Sequence, residues 1–218
     1  MIPTRERHQL VRLGRRLYER GLSPGTSGNL SVRLEGNAGW LLTPTNSCLG
    51  ELTADNISHL DWDGTLLGGS PPSKESFLHL AYYRFRPETH AVVHLHSTFA
   101  VALSCLAHLN PHSCLPPLTP YFVMRIGNLP LVPYHRPGDQ RLGDEVARLA
   151  PTHSAVLLAN HGPVVSAPSL EDAVSAAEEL EETARIFLAL QGHPIRTLDA
   201  HQIEELQRTF GARWNPEA

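Results

Sequence analysis

The segment Ala91-Val-Val-His-Leu-His96 constrains the fold more than any other stretch of this chain. Its apolar, β-branched residues read as a buried strand. Side chains two apart on a strand share a face, so His94 and His96 project together. A second apolar run, Ala155-Val-Leu-Leu-Ala159, ends at Asn160-His161, just ahead of the turn-forming pair Gly162-Pro163. Two imidazoles on one face of an apolar strand are costly to bury without a shared partner. Three convergent imidazoles with an open fourth position are the usual protein share of a catalytic zinc site. The fold therefore has to bring two distant strand ends together around one ion. Zinc suits such ligands, and another divalent first-row metal can compete for them.

The remaining chain has the size and composition of one cored domain spanning residues 1–218, with a loose tail from about residue 208. A formal net charge of −4 argues against binding nucleic acid through its phosphates. No stretch has the length and apolarity of a membrane span, and Met1-IPTRERHQ lacks the apolar centre of a signal peptide. The three cysteines, Cys48, Cys105 and Cys114, are odd in number and irregularly spaced, which fits a reducing cytoplasm better than a disulfide framework.

Helices are expected over Thr4 to about Arg20, Ser73–Arg86, Thr98–Leu106, Asp139–Leu149 and Leu170–Gln191, each with a cap or stop signal or an apolar stripe. Strands are expected at Leu30–Arg33, Trp40–Thr43, Ile57–Trp62, the first histidine segment and Ala155–Ala159. Short ones are expected at Phe122–Met124 and Leu131–Pro133 within a proline-rich stretch. Asp63-Gly64 reads as a hairpin turn. Hairpin-like strands between separate helices point to an α/β sandwich with a largely antiparallel sheet.

Three further features bear on chemistry. Ser73 reads as a helix N-cap, which puts Glu75 in the first turn. There it is either a carboxylate favoured by the helix dipole or, if the fold brings it to the histidines, a metal-site carboxylate that moves protons. Gly25-Thr-Ser-Gly-Asn29, Thr43-Pro-Thr-Asn46 and Ser73-Lys74 offer hydroxyls, backbone N–H groups and a cation, which suit a phosphorylated ligand as well as simple turns. The run Glu178-Glu-Leu-Glu-Glu182 reads as a solvated helix face, with Arg185 an i+4 partner of Glu181.

Taken together, Gly25-Thr-Ser-Gly-Asn-Leu-Ser-Val-Arg33, Leu42-Thr-Pro-Thr45, Pro72-Ser-Lys-Glu75, Ala91-Val-Val-His-Leu-His96 and Ala159-Asn-His-Gly162 resemble the class II aldolase/adducin-head family, in order and spacing, to about residue 192. Leu118-Thr-Pro-Tyr-Phe-Val-Met-Arg125 and Pro133-Tyr-His-Arg-Pro-Gly138 look like the branch that decarboxylates 3-oxo-tetronate 4-phosphates. The resemblance implies a three-layer α/β/α sandwich and a homotetramer with active sites at subunit interfaces. It implies zinc held by His94, His96, His161 and Glu75, with Glu75 also the acid/base. Ser27, Gly28, Asn29, Thr45, Asn46, Ser73 and Lys74 fall where relatives bind phosphate. Family aldolases typically have glycine at the position of Asn46 and often serine at that of Lys74. Tyr121 is the candidate for the tyrosine that a neighbouring subunit lends. The implied activity is decarboxylation to dihydroxyacetone phosphate and carbon dioxide, through a metal-stabilised enediolate, in sugar-acid catabolism. A zinc aldolase of the fuculose or ribulose phosphate type is the alternative. A pentulose-phosphate epimerase and an adducin-like scaffold without chemistry are further readings.

Overall fold

Alternation along the strands decides the layering. On β5 (Ala91–His94), Ala91 and Val93 enter one apolar cluster while Val92 enters another on the opposite face. The same two-residue period runs through β1 (Asn29–Arg33), β2 (Trp40–Leu42), β7 (Ala155–Leu158) and β8 (Gly162–Ala167). A sheet buried on both faces needs helices on both. Each fully covered Val or Leu contributes roughly 1.5–3 kcal/mol relative to an exposed one.

The computed structural model describes residues 4–216. With β3 (Ser58–Leu60), β4 (Leu66–Gly68) and β6 (Leu131–Val132), the strands form one eight-stranded sheet in the order β4-β3-β2-β1-β5-β8-β7-β6. Every neighbouring pair is antiparallel except β6–β7. One face packs on α1 (Thr4–Glu19), α3 (Thr98–Ser104), α4 (Pro120–Arg125), α6 (Leu170–Ala189) and α7 (Ala200–Phe210). The other packs on α2 (Ser76–Phe85) and α5 (Gln140–Leu149). The expected α/β/α sandwich with a largely antiparallel sheet is the observed architecture.

Several local expectations are corrected. Phe122–Met124 is helical. Thr119 accepts a hydrogen bond from Phe122 N (3.1 Å) and Pro120 occupies the first turn, a helix-start signal that overrides the β-forming residues. Gly162-Pro163 opens strand β8 instead of a turn, pairing Leu158 with Gly162 and Leu157 with Pro163. Helix α7 was not expected, although Asp199 and Gln202 form a capping box and Gly211 ends the helix in the left-handed region. The segment from about 208 closes α7 and then packs Trp214 edge-on against Phe122.

The acidic run is also corrected. Glu181 is buried, and its carboxylate accepts from Ser97 Oγ (2.6 Å), Phe99 N (2.8 Å) and Ala100 N (2.8 Å). It satisfies the otherwise unpaired N–H groups at the start of α3. Arg185 pairs with Glu182 instead, and Glu178 binds Arg16 of α1 and Arg20 just past its end.

Candidate metal centre

The register of β1, β5 and β8 builds the site. Asn29 pairs with His94, and His94 with Val164, so three strands place one end each at the same edge. His161 sits in the tight β7–β8 connection. Asn160 there has φ 56°, and Gly162 has φ 146°. A Cβ on Gly162 would lie 2.3 Å from Leu95 O, so only glycine lets the connection close against β5. Gly162→Ala is expected to cost about 1–3 kcal/mol from backbone conformation alone, and to separate His161 from the other two rings. A lowered melting temperature together with reduced metal content would show both effects.

Ser73 is not the N-cap of α2. Helix α2 starts at Ser76, Glu75 occupies the N-cap position, and its side chain makes no capping bond. The Glu75 carboxylate instead turns to the histidines. Its Oε2 lies 3.4 Å from His94 Nε2 and its Oε1 3.2 Å from His161 Nε2. His96 Nε2 lies 3.1 Å from His94 Nε2 and 3.0 Å from His161 Nε2. Glu75, His94, His96 and His161 are the one group of this kind among the described residues, with four ligand atoms within 4.8 Å of one another.

Protonation states suit a cation. His94 Nδ1 donates to Pro163 O (2.8 Å), which leaves the Nε2 lone pair facing inward. Burial pulls the His94 imidazole down to about 3 against the opposing pull of Glu75, and burial lowers His96 as well. Burial raises the Glu75 carboxyl, but His94, His161 and the Asn29 amide outweigh it, so the group lies well below the usual carboxylate range. Neutral imidazoles and an ionised carboxylate are the states that bind a metal. Two nitrogens on one tetrahedral zinc stand roughly 3.3 Å apart, close to the spacings seen here. The donor set and its geometry fit a zinc-type ion.

The seven residues expected at the phosphate line one cavity of about 310 Å³ that also reaches Glu75 and His96. Thr26, Pro44, Pro137 and Gly138 complete its wall. Asn29 is largely committed elsewhere. Its amide donates to Glu75 Oε2 (2.9 Å) and Ser73 Oγ (3.2 Å), and its carbonyl faces His79 Nε2 at 2.5 Å. Tyr121 does not reach the cavity. It is 58% exposed on α4, with Arg125 over its ring.

Two contributors escaped the sequence reading. Glu181 anchors Ser97, the residue next to His96; its place between Ala177 and Ala184 on the apolar stripe of α6 was the available signal. His79 lies four residues after Glu75 on the same helical face. Burial holds His79 down at about 3, against an ordinary 6.5. The unfolded chain therefore takes up a proton there first, and stability falls as pH drops from about 6.5 toward 3. Between pH 6.5 and 5 the loss from this ring approaches about 2 kcal/mol. Urea unfolding of the metal-free protein at the two pH values checks it, with His79→Gln losing less.

Comparison with known proteins now decides the family. The family described as Class II Aldolase and Adducin N-terminal domain matches residues 8–188. The chain belongs to the class II aldolase and adducin family. The 3-oxo-tetronate 4-phosphate decarboxylase of Haemophilus influenzae is 50% identical over 202 residues, covering 93% of this chain and 96% of that protein. L-fuculose phosphate aldolase of Escherichia coli is 33% identical, covering 88% and 89%. Among solved structures, YgbL from Klebsiella pneumoniae superposes with a TM-score of 0.91 at 48% identity, covering 94% of this chain and 99% of the other. With decarboxylase and aldolase relatives at these levels, this family member is a lyase. The family is metal-dependent, and no helix among the described residues is long and apolar enough to cross a membrane.

Proposed function

We propose that this class II aldolase-family chain decarboxylates a 3-oxo-tetronate 4-phosphate to dihydroxyacetone phosphate and carbon dioxide. The observation that carries the reading is the juxtaposition of the Glu75–His94–His96–His161 group with the hydroxyl- and amide-lined cavity beside it. The roughly 50% identity to decarboxylases over nearly the whole chain supports the choice of reaction. His94, His96, His161 and Glu75 would hold the metal, zinc by donor preference. A bound divalent ion supplies Lewis-acid stabilisation of charge developing on the substrate's C3 oxygen.

The chain's own residues do the rest. Ser27, Gly28, Thr45, Asn46, Ser73 and Lys74, with Asn29 at the inner end, orient the phosphate, and Lys74 adds a positive charge. The C1–C2 bond breaks, carbon dioxide leaves, and the electron pair passes toward the C3 oxygen. Glu75, ionised at rest, passes to C2 a proton that it takes up from solvent, and the C3 carbonyl reforms. The carboxylate is held within reach of the imidazoles and the cavity, so it needs no large movement. The enzyme acts in the cytoplasm, in sugar-acid catabolism, as a homotetramer in which Tyr121 serves a neighbouring subunit's site.

The test is a product assay. Metal-loaded protein given 3-oxo-tetronate 4-phosphate should release carbon dioxide and dihydroxyacetone phosphate in equal amounts, and chelator should stop both. Cleavage of L-fuculose 1-phosphate, with the keto acid left intact, would overturn the decarboxylase reading in favour of an aldolase.

A further inference from the structure

Glu75 stands at the inner end of a buried chain of side chains. Helix α2 and its N-cap contribute Glu75, His79 and Tyr83 at successive i, i+4 positions, and β1 contributes Asn29 and Ser31 from one face. The two sets interleave. Asn29 Nδ2 is 2.9 Å from Glu75 Oε2, and Asn29 Oδ1 is 2.5 Å from His79 Nε2. His79 Nδ1 is 2.7 Å from Ser31 Oγ, which is 2.6 Å from the Tyr83 hydroxyl. Asn29, Ser31, His79 and Tyr83 are all buried.

Chemistry fixes the direction of every bond. An ionised carboxylate only accepts, so Asn29 presents its NH₂ to Glu75 and its carbonyl to His79. A carbonyl also only accepts, so His79 carries its proton on Nε2. The neutral ring then accepts at Nδ1 from the Ser31 hydroxyl, and Ser31 accepts from Tyr83. All four donors point toward Glu75, and such aligned chains polarise one another.

We propose that His79 is a positioning residue for Glu75: acting through Asn29, it holds Oε2 as a hydrogen-bond acceptor and so fixes how the carboxylate faces the three histidines. Oε1 lies beside His161. The inference rests on the reading of Glu75 as a metal-site carboxylate and proton carrier.

The experiment compares wild type, His94→Ala, His79→Leu, His79→Gln and Ser31→Ala as full chains stripped of metal and titrated with Co²⁺. Affinity is read by chelator competition, coordination by the visible Co²⁺ spectrum, and turnover in the decarboxylase assay. His79→Leu should weaken Co²⁺ binding and lower kcat by roughly 10–100-fold, shift the spectrum and leave KM nearly unchanged. Ser31→Ala should move the same readouts less. Gln can return an N–H to the place of His79 Nε2–H, so His79→Gln should recover most of the loss. Folded His79→Leu or Ser31→Ala protein with wild-type affinity, spectrum and kcat overturns the proposal, as does His79→Gln behaving like His79→Leu. If His79→Leu fails to fold, Ser31→Ala and His79→Gln decide. A wild type that binds Co²⁺ no better than His94→Ala overturns the metal-site reading itself, and this proposal with it.

Discussion

The His94→Ala protein should lose bound metal and turnover together. His94 is fully buried at the end of β5, touches both His96 and Glu75, and is oriented by its own bond to Pro163 O. Removing it deletes a ligand and opens a void between the remaining donors. Loss of an outer-shell partner typically costs 10–100-fold in affinity or activity, and loss of the ligand itself should exceed about 100-fold in both. The sheet should survive, because Ala91, Val92 and Val93 keep their packing on both faces. Metal per chain by elemental analysis, kcat and a thermal melt separate these effects. A folded variant with full metal and full activity would remove His94 from the ligand set.

Glu75→Gln is expected to lower kcat by roughly 10²–10⁴-fold, the usual worth of a positioned acid/base. The substitution keeps size and shape but cannot hold a transferable proton. It also confronts Asn29, whose N–H would meet either an amide oxygen, which still accepts, or an NH₂, which does not. Because its side chain makes no capping bond to α2, helix stability should change little. KM should stay closer to wild type than kcat, since the cavity wall is otherwise intact. Wild-type kcat in this variant would leave the proton step to another group.

How far the sequence could be read follows from the range of the forces involved. Strand and helix positions set by periodicity were visible in the residues, as in Ala91–His94 and Leu170–Ala189. The pairing of His94 with His96 followed from strand geometry. The approach of Glu75 did not, because local sequence cannot say that α2 packs its N-terminus over the β1–β5 edge. Family resemblance supplied that expectation. Elements whose signals conflict were misread. Phe122-Val123 favours a strand, but Thr119-Pro120 starts a helix; Gly162-Pro163 looks like a turn, but continues a buried strand. Glu181 was hidden because an acidic run resembles solvent-exposed surface, although its helical phase placed it inward.

The four groups that could hold an ion are spread from Glu75 to His161, on three parts of the chain joined only through the finished register of β1, β5 and β8. No short peptide within the chain holds more than the His94–His96 pair. A nascent or half-folded polypeptide therefore has little means of scavenging an ion. If these four groups hold the ion, its loading is expected to depend on the sheet having formed, since a site of this kind rarely exists in an unfolded chain.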